Sequence, residues 1–154
     1  MNNVDNSQQD RINLLLVKSS DIRKDCPGII RDMNPLREKF GIEYKVVDSV
    51  SGADYELQYN DYKGVIIYHL TTGIQGIDWE RGCCPWLALE PTFQIIEHAK
   101  ERGLPVIVRW TYQSSMVTKK WVGSYFSKYK VDKVVDPDAG ESLEKACQEL
   151  FISV

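Results

Sequence analysis

Three short apolar runs constrain the fold of this chain more than any other feature of its sequence. They read LLLV at 14–17, GVIIY at 64–68 and PVIV at 105–108. An unbroken run of this length, bounded by polar or glycine residues, is typical of a strand that is buried on both faces, as in a parallel sheet. The sequence therefore predicts that these runs are central strands of one parallel sheet.

Segments with helical spacing separate these runs. Apolar residues recur at helical intervals over 29–40, where Gly41 is a suitable C-cap and Pro35 predicts a start or a kink. A second helix is predicted over 86–102, closed by Gly103. The predicted strands are 11–20, 42–49, 64–70, 104–110 and 131–138. The predicted helices are 29–40, 86–102, 119–130 and 139–151, and segment 51–64 is either a short helix or a loop. Ser142 or Asp138 is the predicted cap of the last helix.

This alternation predicts a three-layer α/β domain with a five-stranded parallel sheet. Right-handed crossovers leave few topologies, and the flavodoxin-like order 2-1-3-4-5 is the commonest of them. We expect residues 11–154 to form this single domain and the polar residues 1–10 to be a disordered tail. Ligands of such folds bind at the carboxyl ends of the strands. Those ends are predicted at 18–21, 48–52, 70–76, 110–113 and 136–138.

Composition excludes several classes of partner. The net charge of −3 and the absence of a long basic run argue against nucleic acid. No apolar run approaches the roughly 18 residues of a membrane helix, so no membrane partner is expected. The N-terminus, MNNVDNSQQD, lacks the apolar core of an export signal, which predicts a cytoplasmic protein with reduced cysteines.

Several chemistries lack their motifs. The four cysteines and two histidines include no CxxC pair and no ligand-like spacing, so no metal site is expected. Neither GxGxxG nor GxxxxGK[ST] follows the first strand. A phospho-acceptor receiver domain needs an aspartate at the end of the third strand, where this chain has His69 and Leu70. That difference argues against a receiver.

An FMN-binding flavodoxin is a weaker alternative. The stretch GVIIYHLTTGIQGIDWE is similar in texture to the third-strand loop of flavodoxins; the similarity rests on Thr71, Thr72, Gly76, Asp78 and Trp79. Flavodoxins also need a glycine-bearing phosphate loop after the first strand. KSSDIRKD stands at that place and contains no glycine.

The stretch CCPWLALE at 83–90 places Trp86 and Glu90 four residues apart, on one face of a helix. One interpretation is a buried tryptophan with Glu90 in the first turn, where a carboxylate favours the helix dipole. The other is a functional pair at the rim of a cleft. Other short motifs favour the second interpretation: VKSSD at 17–21, Asp48 at the end of the second strand, and PVI at 105–107.

Together these motifs resemble a TIR domain, in which a Ser-rich turn follows the first strand and Trp-x-x-x-Glu lies on the helix after the third. The resemblance extends over about residues 12 to 152. Nucleoside 2-deoxyribosyltransferases and SEFIR domains share this type of fold, but Glu90 fits the TIR spacing better. Two departures stand out: the segment between Asp48 and the third strand is short, and the loop before Trp86 is long.

The resemblance implies an enzyme that hydrolyses or cyclises NAD at its nicotinamide–ribose bond, with NAD as substrate and no cofactor. Glu90 would stabilise the oxocarbenium-like transition state, and Trp86 would form a wall of the cleft. The resemblance further implies substrate-binding residues, namely Lys18, Ser19 and Ser20 at phosphate or ribose oxygens, and Asp48 or Tyr55 beside the nicotinamide.

A second function class stays open on the same resemblance. A non-catalytic TIR-like or SEFIR-like module would act in signalling or defence through interaction or nucleotide sensing. Its partners would be copies of itself or other TIR-like domains. Glu90→Gln separates the two classes, because only an enzyme would lose activity.

Overall fold

The computed structural model describes residues 11–18, 27–68, 85–109, 123, 124 and 126–152, and for residues 85–92 and 138 it describes the backbone only. The strands are β1 (Ile12–Lys18), β2 (Ile42–Val47), β3 (Gly64–Tyr68), β4 (Val106–Arg109) and β5 (Lys133–Val135). The longer helices of the described part are α1 (Pro27–Phe40), α2 (Val50–Tyr59), α3 (Pro85–Glu101) and α4 (Leu143–Phe151).

All neighbouring strands pair in parallel, and the order across the sheet is β2-β1-β3-β4-β5. The predicted fold class is therefore confirmed, including its strand order. β1 and β3 lie at the centre of the sheet, which explains why their sequences are the most continuously apolar.

The sheet has an apolar core on each face. Leu15 of β1 and Ile67 of β3 pack on one face, beside Leu57 of α2 and Ile96 of α3. Leu14 and Leu16 pack on the other face, with side chains from α1 and α4: Ile29, Met33, Leu36, Leu143 and Cys147. Each fully buried aliphatic side chain contributes roughly 1.5–3 kcal/mol, so burial on both faces fixes the alternating layers.

The helix ends follow the predicted signals. Gly41 and Gly103 both adopt positive φ angles, of 68° and 73°, after α1 and α3, a conformation that glycine reaches without a Cβ clash. Ser142 caps α4 by accepting a hydrogen bond from the Lys145 amide at 3.1 Å. Of the two predicted caps, the serine is the one used.

Two segments differ from the simplest expectation. α1 begins at Pro27 and continues through Pro35, although a proline inside a helix costs about 3 kcal/mol. Apolar residues on both sides of Pro35 are buried against the sheet, and this burial outweighs the lost hydrogen bond. Segment 51–64 contains a true helix, α2, because Ser49 caps it by accepting from the Gly52 amide at 2.9 Å.

Candidate functional site

Polar side chains replace apolar ones where the central strands end. The register pairs Lys18 of β1 with Tyr68 of β3, and Tyr68 with Arg109 of β4. Paired residues of neighbouring parallel strands lie about 4.8 Å apart and share a face of the sheet. Lys18, Tyr68 and Arg109 therefore form one transverse row at the carboxyl edge, which we call the edge row. All three are buried.

Asp32 of α1 closes this row from the helix layer. Its Oδ2 atom lies 3.0 Å from Nε of Arg109 and accepts a hydrogen bond of 2.8 Å from the Tyr68 hydroxyl. The guanidinium of Arg109 also lies over the Tyr68 ring, 4.6 Å from its centroid, a favourable cation–π position. One carboxylate thus holds two strand ends and one helix together.

Lys18 is at the other end of the edge row, beside Asp48. Its Nζ is 3.9 Å from Asp48 Oδ2, and the exposed fractions of the two side chains are 2% and 46%. The separation is at the outer limit of an ion pair, and Asp48 keeps much of its water. Lys18 therefore brings a buried positive charge to the carboxyl edge, and the half-exposed carboxylate of Asp48 lies at the limit of ion-pair distance from it.

Asp136, directly after β5, is also buried. Its backbone N–H donates to Glu141 Oε1 at 3.0 Å, and its carbonyl accepts from the amides of Ala139 and Glu141 at 3.0 and 3.2 Å. This turn fixes the end of β5 and leads into α4.

The structure brings together some of the residues that the sequence singled out. Lys18 and Asp48 meet at the carboxyl edge, as a site at the strand ends requires. Tyr55, by contrast, is 60% exposed on α2, and its ring packs on Tyr59 at 4.8 Å. Ser19 and Ser20 lie outside the described residues.

The CCPWLALE stretch is only partly described. Trp86 and Glu90 both belong to α3, so the predicted helix is confirmed, but their side chains lie outside the described residues. The roles predicted for Trp86 and Glu90 as wall and catalyst, and for Ser19 and Ser20 as substrate contacts, stay predictions that no contact in the described part tests.

Sequence reasoning missed three residues of this site: Asp32, Tyr68 and Arg109. Tyr68 and Arg109 were predicted as interior strand residues, because the predicted strands ended two residues after Tyr68 and one residue after Arg109. A polar residue that closes an apolar run is the signal that could have found them. Asp32 carried no such signal, because it lies among the helical positions of α1.

Two further findings bound the chemistry of the described part. Its His, Cys, Asp and Glu side chains form no group of three or more that could hold a metal ion. None of its helices combines the length and the apolar character that crossing a bilayer requires.

By comparison with solved structures, the fold is similar to that of receiver domains, whereas no protein-family model and no curated protein sequence matches the chain. The chain is similar to a putative response regulator from Chloroflexus aurantiacus, with 14% identity, 93% of this chain and 99% of that chain covered, and a TM-score of 0.56. It is also similar to CheY4, a chemotaxis protein of Vibrio cholerae, with 12% identity, coverage of 90% and 98%, and a TM-score of 0.54.

A third similar structure is the receiver domain of a sensor histidine kinase from Pseudomonas aeruginosa, which has a magnesium ion coordinated in its active site cleft. The identity is 11%, the coverage is 92% of this chain and 98% of that chain, and the TM-score is 0.55. At these identities the likeness establishes the fold.

These neighbours correct the family prediction. They are consistently response regulators or receiver domains, so the assignment to a TIR-like domain is wrong, and with it the predicted cleavage or cyclisation of NAD. The physical reason is that the quoted motifs lie at strand ends and on one helix of a flavodoxin-like sheet. Short motifs at such positions do not distinguish one flavodoxin-like family from another, because these folds use the carboxyl ends of their strands for many different ligands and functions.

Proposed function

We propose that this chain is a receiver-like signalling domain that acts by binding other proteins and works without an aspartyl phosphate. The observation that carries the proposal is the edge row, which places Lys18, Tyr68 and Arg109 in register at the carboxyl ends of β1, β3 and β4. In folds of this kind, that edge is where ligands bind.

The charge of the edge row supports the proposal. A phospho-acceptor receiver needs an aspartate at the end of its third strand, and here β3 ends at Tyr68 and is followed by His69. The Pseudomonas aeruginosa receiver coordinates magnesium in its cleft. In this chain two carboxylates at the carboxyl edge already have cationic partners, because Asp48 lies 3.9 Å from Lys18 and Asp32 lies 3.0 Å from Arg109. Magnesium binds through carboxylates, so these pairs compete with a metal ion for its ligands.

Tyr68 and Arg109, together with Asp32, hold the domain in one conformation, whereas a switch would need two. Asp32 links α1 to the ends of β3 and β4 through charged hydrogen bonds, each worth roughly 1.5–3 kcal/mol when buried. α1 is thereby held against the sheet in one position. A domain locked in this way presents the same surface to a partner at all times, and its signal is binding itself.

The test is incubation of the full chain with acetyl phosphate and magnesium chloride, followed by intact-mass analysis at neutral pH. The receiver domain from Pseudomonas aeruginosa serves as the positive control. We expect a phosphoryl adduct on the control and none on this chain. Amide hydrogen exchange in α1 should be the same with and without the phosphodonor.

An adduct on this chain would overturn the proposal. The variants Asp32→Asn and Asp48→Asn would then show whether one of the carboxylates at the carboxyl edge is the acceptor, because the adduct would disappear from that variant only. Faster exchange of α1 amides in the presence of the phosphodonor would equally contradict a locked domain.

A further inference from the structure

The outward face of α2 carries an unusual pair of exposed aromatic rings. Tyr55 and Tyr59 are 60% and 64% exposed, and Ile30 is the one other large hydrophobic side chain of the described part that is exposed. The two tyrosines lie one helical turn apart, with ring centroids separated by 4.8 Å and ring planes inclined by 47°. Tyrosine is enriched at protein interfaces, because it offers a large contact area with a polar tip.

α2 presents these rings from a rigid position. Ala53 and Leu57 bury its inner face in the core. Asp54 reaches α3, where its Oδ1 lies 2.6 Å from Nδ1 of His98. Glu56 is buried and binds Lys45 of β2, and it accepts a hydrogen bond of 2.8 Å from the Tyr62 hydroxyl. Because the helix is held from several sides, a partner would lose little free energy in ordering it.

The chain segment that carries these rings is acidic, although Lys45 pairs with Glu56 and Lys63 follows the segment. Between residues 48 and 62 the chain has four carboxylates, Asp48, Asp54, Glu56 and Asp61, and no lysine or arginine. The last turn of α2 also carries no basic residue. A helix C-terminus bears partial negative charge and favours a nearby cation, and in this chain α2 does not supply one itself.

A pocket opens at this end of α2, between the helix and the edge strand β2. Its volume is about 410 Å³, and its lining includes Glu43, Lys45, Glu56, Asn60 and Asp61. Lys45 pairs with Glu56, so Asp61 is the carboxylate of this lining that we assign to a ligand. Asp61 is exposed, so its carboxylate remains available to a ligand. The pocket has room for a long side chain, and its polar lining suits the ammonium of lysine or the guanidinium of arginine.

We propose that the α2 face, meaning Tyr55, Tyr59 and this pocket, binds a lysine- or arginine-bearing segment of a partner protein. One cationic side chain lies over the tyrosine rings, where the attraction is worth about 0.5–1 kcal/mol at an exposed site. Another enters the pocket and pairs with Asp61. The inference rests on the proposed function in one respect, namely that the domain works by binding a protein.

The experiment uses the full chain and a fluorescein-labelled peptide of alternating arginine and glycine as the probe, with binding followed by fluorescence anisotropy. We expect the double variant Tyr55→Ala/Tyr59→Ala to bind the probe about two- to fivefold more weakly than the wild type. Asp61→Asn should also weaken binding, and a matched glutamate–glycine peptide should not bind. Ile30→Ala and Glu38→Gln, which change an exposed apolar and an exposed acidic residue of α1, should bind like the wild type.

Equal affinity of the wild type and the tyrosine variant would overturn the proposal, since the probe would then be attracted by net negative charge alone. A wild-type dimer that the tyrosine variant abolishes, seen by sedimentation, would also overturn it, because the rings would then cover a second copy. Circular dichroism of each variant controls for folding. The two tests fail independently. If the peptide does not bind and no phosphoryl adduct forms, the proposed function stands and only the inference about the α2 face fails. If an adduct forms, the proposed function fails whether or not the peptide binds.

Discussion

The Nε atom of Arg109, at the end of β4, lies 3.0 Å from the Oδ2 atom of Asp32 in the middle of α1. The exposed fractions of the two side chains are 7% and 19%. The pair therefore joins the helix layer to the sheet in a largely dry environment, where an unpaired charge is expensive. Arg31, the neighbour of Asp32 in sequence, approaches the same carboxylate at 3.6 Å but is 74% exposed.

Removal of the buried partner should therefore destabilise the fold far more than removal of the exposed one. We expect Arg109→Leu to lower the free energy of unfolding by roughly 3 kcal/mol, since it leaves the Asp32 charge without its buried partner. Arg31→Leu should lower it by less than about 1 kcal/mol, as is usual for a surface pair. Urea unfolding of both variants measures the difference, and equal losses would refute the proposed lock.

Glu56 should make stability depend on pH. Its hydrogen bond with Lys45, followed by those with Tyr62 and Asn60, lowers its pKa below the ordinary value of 4.5. A carboxyl whose pKa is depressed in the folded state stabilises the fold above its ordinary pKa, and this stabilisation is lost as the pH falls through the folded value. Glu56→Gln should thus cost about 2 kcal/mol at neutral pH, with a difference from the wild type that shrinks below pH 4.5.

Urea unfolding between pH 7 and pH 3 measures that difference. Tyr62 keeps its proton throughout this range, because burial, reinforced by the Glu56 carboxylate, raises the pKa of its phenol. Glu38→Gln, an exposed position on α1, is the surface control. A penalty for Glu56→Gln that stayed constant with pH would show that its cause is packing and not charge.

Cys147 should resist alkylation in the folded protein. It lies on the inner face of α4 and is fully buried in the core, and burial raises the pKa of its thiol to about 12. At pH 8 almost none of it is the reactive thiolate. Peptide mapping after iodoacetamide treatment should find Cys147 unmodified in native protein and modified after unfolding in urea. Modification at the same rate in both states would place the thiol outside the core.

Gly64 should not tolerate a side chain. A Cβ at this position would overlap the ring of Phe151 and would lie 3.1 Å from the Pro105 carbonyl oxygen. Gly64→Ala therefore forces the Phe151 ring to move from its place beside β3, and overpacking of this kind typically costs 1–3 kcal/mol. Gly123→Ala is the matched control, because no atom of the described residues lies within 4 Å of its Cβ position. Thermal unfolding compares the two variants, and similar midpoints would contradict the overlap.

The sequence predicted the sheet well and the site incompletely. Apolar runs located three of the five strands, and the alternation with helical segments located the other two. Right-handed crossovers left few topologies, and the commonest of them is the observed order. Lys18 and Asp48 were singled out because they end strands, which a local pattern reveals, and the structure places them side by side; their predicted contact with a substrate stays a prediction. Asp32 was missed, because its partner Tyr68 lies 36 positions away in the sequence and no local pattern around residue 32 predicts that contact.

The family prediction failed for a related reason. Trp86, Glu90 and the serines after β1 are short local motifs, and short motifs recur by chance at the polar ends of any flavodoxin-like sheet. The overall path of the backbone contains far more information, and it pointed to receiver domains with TM-scores of 0.54 to 0.56.

The sequence by itself therefore determined the alternation of strands and helices. Apolar periodicity is a local property, and burial of the apolar side chains is what packs those elements into layers. What only the tertiary structure decided is the register of the strands. Register places Lys18, Tyr68 and Arg109 in one row and brings Asp32 onto it from α1. It depends on how whole elements pack after long stretches of chain have closed, and no local pattern encodes that choice.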